Sequence, residues 1–115
     1  MPQGEEAEAR QFYGMLLGVR EIPKPPLLAA RGGVWFVIGG DGRQLHLGVE
    51  TDFRPNRKAH PCFVSNDLDG LAASLTTHGY HVEWDAAMEG VKRFYTEDCF
   101  GNRLEFADQV STWQD

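Results

Sequence analysis

In this 115-residue chain His46, His60 and Glu105 have side chains that commonly bind metals, and each lies in a segment of strand character. Glu105 alternates with Leu104 and Phe106, and His46 with Leu45 and Leu47, so each polar group faces away from its apolar neighbours. His60 opens the run His60-Pro61-Cys62-Phe63-Val64-Ser65. Each of the three also reads as an ordinary polar residue on the open side of a strand. Two imidazoles and one carboxylate are the donor types that hold Fe(II), Mn, Ni or Zn and leave positions open. A metal with open positions can hold vicinal oxygens of a substrate and stabilise an enolate or a dioxygen-derived anion. His78, at a helix end, and His81, after a turn, are poorer candidates. Cys62 shares a strand face with His60 and reads either as a nucleophile or, more simply, as a small core thiol. There is no G-x-S-x-G elbow and no phosphate loop, and Gly39-Gly40-Asp41-Gly42 belongs to a hairpin rather than to a helix start.

The elements that would carry these groups fall into two halves. In the second, the strand from His60 is followed by Asn66 and Asp67, N-cap residues ahead of the apolar stripe Leu68, Leu71, Ala72 and Leu75. Gly79 ends that helix, and residues 80–84 are extended. A turn at Met88-Glu89-Gly90 leads into a strand over 91–97. The turn Asp98-Cys99-Phe100-Gly101-Asn102 then leads into a strand over 103–108. In the first half, a helix is expected over 4–17 with Ala9, Phe12, Tyr13, Leu16 and Leu17 on one stripe. Gly18 stops it, residues 19–22 can form a short strand, and Pro23-Lys24-Pro25-Pro26 is a stiff break. Residues 27–31 read as a loop or a single turn. Strands over 34–38 and 43–49 flank the glycine hairpin.

The halves repeat. An offset of 59 residues lays Trp35-Phe36-Val37 on Phe94-Tyr95-Thr96, Gly42 on Gly101, Leu45 on Leu104, His46 on Glu105 and Leu47 on Phe106. Gly18 and Gly79 match at 61. The strand 61–65 alone has no counterpart, because its equivalent falls at or before Met1. From this arithmetic Met1 is expected to be an internal methionine of a longer product with one more strand.

The order βαβββ, the strand-opening His60, the helix start Asn66-Asp67-Leu68-Asp69 and the hairpin Asp98-Cys99-Phe100-Gly101-Asn102-Arg103-Leu104-Glu105-Phe106 together resemble the repeating unit of the vicinal oxygen chelate superfamily. This is the glyoxalase, bleomycin-resistance and extradiol-dioxygenase group. Its hairpin has the form D-P-x-G-x-x-x-E, and its last Glu is a metal ligand; here Cys99 stands where Pro is common. The resemblance implies an α+β fold of two βαβββ modules forming a curved mixed sheet around a cavity, the first module lacking its opening strand. Module one would be 1–50, a connector 51–59, module two 60–108 and a tail 109–115. It also implies that His46, His60 and Glu105 converge as ligands of a divalent metal, with Glu105 catalytic as a proton acceptor. The implied function is a metal-dependent enzyme, a lyase, dioxygenase or thiol-transfer type, acting on a small oxygenated substrate. The alternative is a metal-free small-molecule or drug-binding protein that sequesters a cationic ligand.

Hairpin pairing suggests the rest of the wall. If Asp98 and Asn102 close their turn, Tyr95 faces Glu105 and Arg93 faces Ala107; by the repeat, Phe36 would face His46. Phe36, Gln44, Arg93, Tyr95 and Arg103 are therefore the expected substrate-binding residues, with Arg93 placed to neutralise a substrate carboxylate. The aromatics among them read equally as core.

Composition sets the outer bounds. Apolar content of 42% with 11% aromatics supports a core. A formal net charge of −6 argues against nucleic acid and against an anionic membrane surface as partners. Cys62 and Cys99 form no C-x-x-C pair, so a cytoplasmic setting is expected. The strand edge left open in the first module leads to the expectation of a homodimer.

Overall fold

The computed structural model describes residues 1–109. The chain divides into two compact units, Met1–Pro55 and the segment from Asn56 on, a division inside the expected connector. Beyond residue 109, the expected tail lies outside the described residues. The fold is α+β with two βαβββ-like modules. The strands form two sheets, one in each unit, rather than the single curved sheet expected, and only the second is mixed.

The first unit opens with a short α-helix, α1 (Glu6–Ala9), that runs directly into a π-helical segment, Arg10–Leu16. The expected stripe is realised in part. Ala9, Phe12 and Tyr13 are buried, while Leu16 and Leu17 are only half-buried. The wider turn is closed by the Leu17 N–H donating to the Phe12 carbonyl at 2.9 Å, five residues back. Phe12 and Tyr13 meet edge to face, with centroids 4.9 Å apart. Strands β1 (Arg20–Ile22), β2 (Val34–Ile38) and β3 (Arg43–Leu47) form an antiparallel sheet in that order. A single helical turn, α2 (Pro26–Ala29), settles the undecided segment before β2. Val34 and Phe36 carry the buried face of β2, and the Phe36 ring lies 5.5 Å from that of Tyr13. Gly33 must be glycine, because its φ is +90° and a Cβ there would meet the Leu47 carbonyl oxygen at 2.3 Å. Its N–H donates to Glu6 Oε2, which ties the helix start to the sheet and holds the Glu6 carboxyl below its usual range.

The second unit contains β4 (Cys62–Val64), α3 (Leu68–Thr77), β5 (Glu83–Asp85), β6 (Arg93–Glu97) and β7 (Arg103–Ala107), with sheet order β4-β7-β6-β5. The β4–β7 pair is parallel and the other two are antiparallel. Both helix ends follow from local chemistry. Asp67 Oδ1 accepts from the Gly70 N–H at 3.1 Å. At the other end the Tyr80 N–H donates to Leu75 and the Gly79 N–H to Thr76, with Gly79 at φ +87°, the pairing of a Schellman motif. Leu68, Ala72 and Leu75 are buried on the helix, and Phe94, Leu104 and Phe106 on the sheet. The Phe94 and Phe106 rings stack at 5.3 Å. By strand alternation Cys62, Asp85, Arg93, Tyr95, Arg103 and Glu105 share the opposite sheet face.

Candidate functional site in the second unit

That opposite face is positioned by the hairpin between β6 and β7. Asp98 Oδ1 accepts from the N–H groups of Phe100 and Asn102, and Asp98 Oδ2 from Asn102 Nδ2. Gly101 takes the positive φ of +86° the turn requires. Asn102 and Arg103 in turn bind Asn56: its N–H donates to Asn102 Oδ1, and the Arg103 N–H donates to its carbonyl. The chain is thereby led along β7 toward His60, and the Glu105 N–H donates to the Pro61 carbonyl at 3.1 Å.

Of the three expected ligands, His60 and Glu105 lie side by side. Nε2 of His60 lies 3.0 Å from Oε1 of Glu105, while its Nδ1 lies 2.6 Å from the Lys58 carbonyl. A carbonyl only accepts, so Nδ1 carries a hydrogen and Nε2 is turned toward the carboxylate. On the far side, Arg93 Nη1 donates to Glu105 Oε2 at 3.2 Å and Arg93 Nη2 to Asp85 Oδ2 at 2.5 Å. The Arg93 and Glu105 side chains are only 13% and 11% exposed. Burial pushes the Glu105 carboxyl up, but hydrogen bonds from His60, Arg93 and Cys62 outweigh it and hold the group below its usual range. Glu105 is therefore an ionised, anchored carboxylate. The Cys62 thiol is pushed up to about 11 by desolvation and by the neighbouring Glu105 charge, which disfavours the thiolate a nucleophile needs.

Tyr95 stands directly opposite Glu105, as hairpin pairing predicts. Its ring meets the His60 ring edge-on at 5.5 Å and carries the Arg103 guanidinium at 4.0 Å. Beside it lies a groove of about 270 Å³ lined by Arg57, His81, Glu83, Tyr95, Thr96, Glu97 and Arg103. His81, a poor candidate on sequence, thus lines the groove. Asp85 had no sequence signal at all, because its role depends on the β5–β6 register.

Two expectations are corrected. Phe36 does not face His46: the ladder pairs Trp35 with His46 and Phe36 with Leu45, and Phe36 is fully buried on the other face. The first hairpin leaves residues 39–42 between its last pair, whereas the second leaves 98–102. The offset of 59 therefore holds for His46 and Glu105 but becomes 60 for Trp35 and Tyr95, and one residue of slip reverses a face. Arg93, expected to meet a substrate carboxylate, instead engages two carboxylates of its own unit.

His46 belongs to the first unit. Its ring lies flat against Trp35, centroids 3.7 Å apart, and Nε2 lies 2.8 Å from Gln44 Oε1. Among the described residues no group of three His, Cys, Asp or Glu side chains is arranged to hold a metal ion. His60 and Glu105 nonetheless suit two positions of such a site. One supplies nitrogen and the other oxygen, and each is oriented from behind, by the Lys58 carbonyl and by Arg93 respectively. Among the described residues no helix is long and apolar enough to cross a membrane.

No protein-family profile and no curated protein sequence matches the chain. Solved structures do. A glyoxalase family protein from Bacillus anthracis is 46% identical over 93% of this chain and 86% of its own, with a TM-score of 0.87. A lactoylglutathione lyase from Agrobacterium tumefaciens (19% identity, 92% and 86% covered, TM-score 0.69) shares the fold. So does an antibiotic binding protein from a Streptomyces species (18% identity, 92% and 88% covered, TM-score 0.72).

Proposed function

This chain belongs to the glyoxalase/bleomycin resistance/dioxygenase superfamily, and from that premise we propose that His60 and Glu105 are ligands in a metal-dependent enzyme for a small oxygenated substrate. The observation that carries the reading is the 3.0 Å approach of His60 Nε2 to Glu105 Oε1, with Nδ1 held on a backbone carbonyl. An imidazole nitrogen and an ionised carboxylate aimed at one point require a cation between them, a proton or a metal ion. A bound divalent metal supplies a Lewis acid for vicinal oxygens of the substrate. The chain's residues do the rest. Arg93 fixes the carboxylate and leaves Oε1 directed at His60. Glu105, kept ionised, is the proton acceptor, and Tyr95 forms the apolar wall beside it. His46, matched to Glu105 by the repeat, carries the same proposed ligand role. Among the described residues the outer edge of β3 has no partner strand, which supports a homodimer.

A second reading, metal-free binding of a small molecule, draws on one observation: both Glu105 oxygens already have partners within the unit. Metal content of the purified protein separates the two. Stoichiometric Fe, Mn, Ni or Zn that is lost in His60→Ala supports the enzyme, whereas metal-free wild-type protein that still binds a cationic drug supports the second reading.

A further inference from the structure

We propose that Arg103, held on the face of Tyr95, selects ligands that carry a carboxylate close to their oxygenated carbon. This deepens the reading of the sheet face as a site for a small oxygenated substrate and rests on it. Two other arginines lie near Tyr95, Arg57 in the groove wall and Arg93 beside the ring, and both are already paired. Arg57 pairs with Glu97 at 3.3 Å, and Arg93 pairs with Asp85 and Glu105. Among the described residues Arg103 has no carboxylate within ion-pair distance, although it lines the groove together with Glu83 and Glu97. Among the described residues its guanidinium makes one polar contact, a long approach of Nη1 to the Arg57 carbonyl, 3.5 Å.

Its orientation is nevertheless fixed. The Arg103 Cζ lies 4.0 Å from the centre of the Tyr95 ring, so the guanidinium rests on the aromatic face. A guanidinium donates in its own plane, so the stack leaves a planar fork for a carboxylate and lowers the ordering cost of engaging it. Arg103 and Glu105 are two residues apart on β7 and share one face, a separation of roughly 7 Å along the strand. A ligand whose carboxylate sits on Arg103 would present a carbonyl or hydroxyl a few bonds away to the His60–Glu105 pair. The matching class is a short oxo- or hydroxycarboxylic acid.

The test is an NMR titration of the full chain, labelled with nitrogen-15, in chelator-treated buffer. The probes are 4-oxopentanoate, its methyl ester and inorganic phosphate. The acid is expected to shift the Arg103 Nε–H and Tyr95 amide signals and to bind about tenfold or more tighter than the ester. Arg103→Gln should abolish that preference and Arg103→Lys should restore part of it. Arg43→Gln, which removes the same charge from an exposed pair in the first unit, should keep it. Equal binding of acid and ester, no shift with the acid, tighter binding of phosphate, or an unchanged preference in a folded Arg103→Gln variant would each overturn the proposal. The readout is metal-free, so it can fail while the metal content of the protein still supports the enzyme, and the reverse.

Discussion

Arg93 Nη1 holds Glu105 Oε2 at 3.2 Å, and the same guanidinium reaches Asp85 through Nη2. One cation thus serves two carboxylates, the three side chains being between 11% and 26% exposed, and among the described residues its Nε is buried without a hydrogen-bond partner. The arrangement makes Arg93 a positioning residue for Glu105.

Arg93→Met should therefore be costly. It leaves Asp85 and Glu105 without their shared counter-charge, and breaking a buried pair from one side costs about 3 kcal/mol or more. Urea unfolding should show a lower midpoint with an unchanged slope. The double variant Arg93→Met with Glu105→Gln should recover part of the loss, because it removes one orphaned charge.

Acid should act through the same carboxylate. The folded-state pKa of Glu105 lies below its usual value of 4.5. Its contribution to stability is therefore complete above about pH 4.5 and is lost as pH falls through the lower, folded value. Thermal melts from pH 6 downward should show the wild type losing stability more steeply below that point than Glu105→Gln. Parallel curves would mean that Glu105 is not held in this way.

Gly33→Ala tests the close approach in the first unit. At φ +90° a side chain is strained, and the Leu47 carbonyl occupies the space a Cβ needs. A destabilisation of about 2 kcal/mol or more is expected from backbone strain and displacement of the strand. Calorimetry on the variant reads it directly.

Much of the second unit could be read from sequence because its determinants are local. Asp67 caps a helix three residues before Gly70, Gly79 ends it, and the Asp98–Asn102 turn closes its own hydrogen bonds. Strand alternation then sufficed to put Tyr95 opposite Glu105. The π-helical turns over Arg10–Leu16 were not legible, since an apolar stripe of Ala9, Phe12 and Tyr13 serves an α-helix equally well. Nor was the pairing of Trp35 with His46, which depends on a loop one residue shorter than its counterpart. The partners of Arg93 were hidden for a third reason. Asp85 reaches it only through the β5–β6 register, and the seven-residue connection 86–92 is too long for its Met88-Glu89-Gly90 turn to fix that register.

On the proposed function, His60 and Glu105 together hold one metal ion. The most direct measurement is a Mn(II) titration followed by electron paramagnetic resonance, in which free Mn(II) gives the signal. Wild-type protein is expected to remove about one equivalent of free Mn(II), and His60→Ala and Glu105→Gln should each weaken binding at least about tenfold. Wild-type protein that leaves the free signal unchanged, or variants that bind as tightly as it does, would contradict it.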